Sequence, residues 1–406
     1  MQRREFLAGL LGMGMVAVGS SAWALRTPVP TQRKLIVIML RGAVDGLSVV
    51  VPYADNNYYQ LRDSIAIPRP NIAEGVWDLD GYFGLHPALS ALQPLWQQKK
   101  LAFVHASGSP DPTRSHFDAQ DYMESGTPGR KSTADGWMNR LLGVLPGATT
   151  PTRGMSLGTV MPRIFMGSAP VGNMAAGAGA LRQTALDRPQ VNSAFAQLYQ
   201  GNSKLAQLYQ ESQDTRQEVM GAMDKEMTAA NGGAAMPNGF PQDAARLAKL
   251  MRNDSNVQLV FMDLGGWDTH INQGAAQGQL ANHLQPLGQG LANLAQGLGD
   301  LFDDTTIVVM SEFGRTAKQN GNNGTDHGHG NVMWLLGGRV NGGHVAGDWQ
   351  GLDDAHLHEQ RDLPVTTDFR AVLSQVAERH LQLSDAQLNK VFPDMGQINS
   401  HLQLIV

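Results

Sequence analysis

Leu35-Ile36-Val37-Ile38-Met39-Leu40 is an unbroken apolar run, and Arg41-Gly42-Ala43-Val44-Asp45-Gly46 follows it directly. An apolar run without polar alternation predicts a strand covered on both faces, as in a parallel sheet. Four further runs read alike: Leu101–Ala106, Val257–Leu264, Thr306–Met310 and Val332–Leu336, with Gln258 and Asp263 as polar exceptions. Helical spacing lies between them. His86–Gln98 places Leu89, Leu92 and Leu95 on one face, Gln279–Phe302 repeats Leu, and Asp368–His380 carries Val372, Val376 and Ala377. Strands alternating with helices predict the α/β class: a doubly wound, mostly parallel sheet with helices on both faces.

Residues 167–237 read differently. They are rich in Ala, Gln, Asn and Gly, and Pro189–Met227 is expected to form one or two long helices. The stretch is expected to be a helical insertion or cap between the halves of the sheet. AQLYQ at 196–200 and again at 206–210 is a single recurrence in a Gln-rich helix, not a repeat architecture.

The first residues read as a targeting segment. Arg3 and Arg4 precede Phe6-Leu7, an apolar stretch runs from Leu10 to Val18, and Ala22-Trp23-Ala24 offers a cleavage site. The arginine pair points to twin-arginine export, which carries folded cargo, with the translocase as partner. An uncleaved anchor is the competing reading, although the apolar stretch is short for a bilayer. Residues 1–24 are thus expected to be a signal peptide and 25–406 the working domain, periplasmic or secreted.

Composition narrows the chemistry. The chain has no cysteine, so neither disulfides nor thiolate ligands are available, and a metal would need His, carboxylate or amide donors. The net charge of −5 and the lack of a basic block speak against nucleic acid. No second apolar segment suggests a membrane span.

Polar residues collect just after the apolar runs, where open α/β sheets bind ligands. Asp45-Gly46 taken alone reads as a turn; the sharper reading is a metal carboxylate. Ser115 reads as a helix N-cap with Asp118 in the capping-box position. The same geometry would suit a nucleophilic hydroxyl among free N–H groups. Arg114 could clamp an anion, and His116 could be a ligand, a base or a core residue. Asp268 and His270 stand two apart after Gly265-Gly266 and could share a cation or cap a helix. Glu312 and Arg315 in Ser311-Glu312-Phe313-Gly314-Arg315-Thr316 could be an ion pair, or a ligand and an anion clamp. Asp326, His327 and His329, spaced by glycine, are the strongest metal signature.

Summed, Asp45, Asp268, Glu312 and Asp326 with His270, His327 and His329 could hold one or two divalent cations. Zn or Mn suits this mixed donor set, and Mg or Ca is possible at a carboxylate-rich position. Two ions would lie about 3.5–4 Å apart. Ser115 or a metal-activated water would attack, and Arg114 or Arg315 would neutralise phosphate or sulfate oxygens.

RGAVDGLS at 41–48, TRSHFDAQDYMESG at 113–126, GGWDTH at 265–270, SEFGRT at 311–316 and GTDHGHG at 324–330 together resemble the domain of unknown function 1501 family. That family is similar to the alkaline phosphatase superfamily, which includes sulfatases. The resemblance implies an alkaline-phosphatase-like fold, a first-strand metal aspartate at Asp45 and a nucleophile at Ser115 or, second, Thr113. It also implies an Asp/His metal pair at Asp268 and His270 and a last histidine ligand at His327 or His329. Phe313 stands where the superfamily has a histidine, and there is no cysteine from which to make formylglycine. The expectation is an exported metal-dependent hydrolase of small phosphate or sulfate esters. The alternatives are a non-catalytic metal- or ligand-binding protein of the cell envelope and a phosphate-transferring mutase.

Overall fold

A computed structural model describes residues 32–158, 160–174, 229–395 and 402–406. The five apolar runs are all strands: β1 (Lys34–Leu40), β5 (Leu101–Gly108), β8 (Leu259–Leu264), β9 (Thr305–Ser311) and β10 (Asn331–Gly337). Four short strands that the sequence did not announce join them: β6 (Gly154–Leu157), β7 (Gly172–Met174), β11 (Val345–Ala346) and β12 (Thr367–Asp368). The order is β11-β5-β10-β9-β1-β8-β6-β7, with β12 also on β5. A separate small sheet pairs β2 (Val50–Val51), β4 (Gly84–Leu85) and β3 (Trp77–Asp78).

β1 is the centre. Val37 pairs with Phe261 of β8 on one side and Val308 of β9 on the other, both parallel. Its side chains alternate between two cores, as a period of two requires. Ile36, Ile38 and Leu40 pack with α3 (Phe240–Asn253) and α4 (Gln279–Leu298). Leu35, Val37 and Met39 pack with α2 (Trp137–Val144), α5 (Phe369–Gln375) and α6 (Asp385–Val391). Within α4, Leu280, Leu284, Leu287, Leu291, Leu294 and Leu298 recur at helical spacing and are all buried. The mostly parallel sheet with helices on both faces is the expected architecture.

One strand corrects the expectation. β10 was read as parallel, yet it runs antiparallel to both β9 and β5. An apolar run buried on both faces looks the same in either direction, so its composition could not show this. The reversal matters for function. The first residue of β10 lies at the same sheet edge as the last residues of β1, β8 and β9. Residues 312–330, between β9 and β10, therefore stay at that edge.

The expected helices are shorter than their patterns. Pro87–Leu92 is a 3-10 turn before the helix Gln93–Gln97, and α4 ends at Leu298 in a further 3-10 turn. The flanks of the 167–237 stretch belong to the sheet region: β7 pairs with β6, and Gly265 N donates to Ala235 O at 2.9 Å. Residues 175–228, most of the expected insertion, lie outside the described residues, as does the segment 1–24.

Three buried histidines are built to stay neutral. The Nε2–H groups of His86, His105 and His380 donate to Ala275 O, Val50 O and Lys34 O. Burial pushes each from 6.5 down to about 4. Unfolded histidines bind protons between these limits and the folded ones refuse them, so stability falls as pH drops from 6.5 toward 4. The melting temperature should decline across that window, and His105→Gln should make the slope shallower. A melting temperature independent of pH there would contradict this.

Candidate metal centre

The loops leaving β5, β8 and β9 and the loop entering β10 meet at the carboxyl edge. His116 is the first residue of α1 (His116–Ser125), Asp268 and His270 follow β8, and His327 precedes β10. His327 Nε2 lies 3.0 Å from both His116 Nε2 and His270 Nε2. Asp268 Oδ1 lies 2.9 Å from His270 Nε2 and 3.4 Å from His327 Nε2, and Asp268 Oδ2 lies 3.6 Å from His116 Nε2. One ligand atom each from His116, Asp268 and His327 fall within 4.8 Å of one another.

The other nitrogen of each ring decides the chemistry. His116 Nδ1 is 2.8 Å from Glu312 Oε1, His270 Nδ1 is 3.2 Å from Asp326 Oδ1, and His327 Nδ1 is 2.9 Å from the Arg114 carbonyl oxygen. All three partners are acceptors only, so each Nδ1 carries a proton, and a ring in its neutral form turns an Nε2 lone pair toward the others. His327 Nε2 and the Asp268 carboxylate each approach both other rings, and lone pairs so gathered repel each other unless a proton or a metal cation sits between them. Ligand nitrogens around tetrahedral zinc are about 3.3 Å apart, so the observed spacing fits. Asp268 Oδ2 is buried without a hydrogen-bond partner, as a ligand oxygen awaiting an ion would be. A carboxylate or carbonyl oxygen accepting from each Nδ1–H is the usual outer support of a metal-bound histidine.

The electrostatics agree. Burial raises the Asp268 carboxyl, but its contacts with His116, His270, His327 and Arg315 hold it well below the usual carboxylate range. Burial also works against a His116 cation, yet Asp268 and Glu312 push that ring up to about 9. Glu312 is buried too, and His116 with Gln120 holds it at about 2. The two carboxylates thus favour positive charge at His116, whereas burial pushes His327 down despite its Asp268 contact.

The expected residues divide into those that meet at this point and those that do not. His116, Asp268, His270 and His327 converge. Glu312 and Asp326, expected as ligands, instead orient His116 and His270. Asp45 is corrected: its carboxylate is taken by Arg62 at 2.5 and 3.0 Å, Ser48 at 2.7 Å and Gln273 at 2.7 Å. His329 is corrected as well, since its ring packs against His358 at 4.7 Å and burial pushes it down to about 4. Neither arginine is a free anion clamp. Arg114 pairs with Glu359 and Asp362, and Arg315 is buried among Gly42, Ala43, Trp267, Asp268 and Thr325. Ser115 is the N-cap of α1 and exposed, but its hydroxyl makes no cap bond, and Asp118 pairs with Lys131 instead. Among the described residues one group of donors close enough to share an ion is found, His116, Asp268 and His327.

Gln120, Arg62 and Gln273 were missed. Gln120 follows His116 by one helical turn and donates to Glu312 at 3.0 Å while accepting from Arg41 at 2.7 Å. Its i+4 spacing was the available signal. Phe313, in the histidine's place, lies 4.8 Å from the His116 ring and 5.2 Å from the His327 ring. It gives the centre an apolar wall.

The family profile described as "Protein of unknown function (DUF1501)" matches residues 32–392. No curated protein matches the chain. Among solved structures, a protein in the alkaline phosphatase superfamily from Vibrio parahaemolyticus is 9% identical, with a TM-score of 0.38 over 76% of this chain and 61% of that one. The lipoteichoic acid synthase LtaP from Listeria monocytogenes is also 9% identical, with a TM-score of 0.38 over 88% and 73%. The C-terminal periplasmic domain of EcEptC from Escherichia coli, in complex with Zn, is 11% identical, with a TM-score of 0.36 over 76% and 72%. This chain thus spans less than two thirds of the Vibrio protein. Likeness at these scores carries no weight for the chemistry, which rests on the geometry above.

Glu312→Gln keeps the shape but removes the charge behind His116. It should weaken metal affinity roughly 10–100-fold in a competitive chelator titration. Unchanged affinity would show that Glu312 has no part in the centre.

Proposed function

The chain belongs to the DUF1501 family, and because that description names no activity, we propose from the site itself a metal-dependent hydrolase of phosphate or sulfate esters. One observation carries the reading: one ligand atom each from His116, Asp268 and His327 lie within 4.8 Å of one another, with His270 Nε2 beside Asp268 and His327. His116, His270, His327 and Asp268 would hold a divalent ion, with zinc or manganese suiting the donors best. When bound, such an ion supplies Lewis acidity and lowers the pKa of an attacking water or hydroxyl. Glu312, Asp326 and the Arg114 carbonyl fix the tautomers. Ser115, exposed beside His116, is the side-chain candidate for nucleophile.

A second reading has its own support. Arg114 and Arg315 are both spent on partners within the protein, which suits an envelope protein that uses the ion to fix its loops. Turnover separates the two. Aryl phosphates or sulfates should be hydrolysed, chelation should abolish this reversibly, and His270→Ala should remove both metal and activity. Ser115→Ala should remove turnover and spare the metal if serine attacks. A metal-loaded protein inert across the panel would support the envelope reading instead.

We also propose export to the periplasm or beyond through the twin-arginine translocase, on the strength of residues 3–24. No helix among the described residues is long and apolar enough to cross a membrane. Replacing Arg3 and Arg4 by Lys should leave uncleaved precursor inside the cell. Normal export of that variant would refute the route.

A further inference from the structure

A cavity of about 410 Å³ adjoins the metal centre, and Asp326 belongs to both. Asp326 Oδ1 holds His270 Nδ1 and also accepts from Asn320 Nδ2 at 2.9 Å. The volume is that of a small-molecule site. Lys318 and Arg361 stand in its lining. Lys318 is exposed and has no carboxylate partner among the described residues. Arg361 is 38% exposed and spends only Nη1, on Asp362 at 3.1 Å. Its remaining N–H groups have no protein acceptor among the described residues, so its planar fork keeps room for a second oxyanion. Of the two carboxylates in the lining, Asp326 is committed to His270 and Asn320, and Asp354 is exposed.

These cations supply what Arg114 and Arg315 do not. We propose that the cavity is an oxyanion subsite, in which Lys318 and Arg361 hold an acidic group of the substrate other than the ester at the ion. The favoured substrate is then a polyanionic ester, with one anionic group at the metal and another in the cavity. The proposal rests on the hydrolase reading above for the word substrate, but the anion site stands on its own residues.

Calorimetric titration of the full chain with sulfate tests it, with and without chelator. Sulfate should bind in both states. Lys318→Glu, at an exposed position that does not risk the fold, should weaken binding roughly tenfold in both, with metal content unchanged. Arg361→Lys, which keeps the charge but loses the fork, should weaken binding, and Arg361→Gln, which loses both, should weaken it further. Equal affinity in the Lys318→Glu variant and the parent, or binding only to the metal-loaded form, would overturn the subsite. Because the chelated protein is titrated too, a failure of the metal-hydrolase reading leaves a separate result here.

Discussion

The buried guanidinium of Arg315 is the interaction on which the carboxyl edge depends. Its Nε donates to Ala43 O at 2.7 Å, Nη1 to Thr325 O at 3.1 Å, and Nη2 to Gly42 O at 2.7 Å and Trp267 O at 3.2 Å. Nη2 also meets Asp268 Oδ1. One rigid fork thus ties the loop after β1, the loop after β8 and the loop before β10 to the end of β9. It orients Asp268 and brings His270 and His327 into register. A buried cation is costly unless paired, and Asp268 is its carboxylate. Asp268 thus both balances the cation that holds the loops together and offers the carboxylate oxygen that would bind an ion.

Backbone without side chains makes this closeness possible. Gly42 has φ +110°, and a Cβ there would sit 2.7 Å from Asp268 N. Gly328, between His327 and His329, lies against the Arg315 backbone, where a Cβ would collide. The glycines of the Asp326–Gly330 stretch are thus packing requirements, and the histidines beside them are held by that packing.

The parts of this arrangement that were legible in the sequence share a cause. Apolar runs mark strands because both faces are buried, and ligands fall after strands because connections at the carboxyl edge are free to vary. His116, Asp268, His270 and His327 could be named for that reason. Other features depend on pairings between distant residues, which no local pattern encodes. Asp45 looked like a ligand because nothing near it showed that Arg62 would saturate it. Arg114 looked free because Glu359 and Asp362 lie more than two hundred residues away. The direction of β10 was hidden because burial on two faces erases the alternation that would have distinguished it. Glu312 and Asp326 were placed in the right neighbourhood but one step out, since composition cannot tell a ligand from the carboxylate that steadies one.

The account stands or falls on what sits among His116, Asp268, His270 and His327. X-ray absorption at the metal edge of the purified full-length protein, combined with elemental analysis, measures this directly. It should report one divalent ion per chain, with three imidazole nitrogens and at least one carboxylate oxygen at about 2.0–2.2 Å. A protein without metal, or one whose ion sees only oxygen, would contradict it.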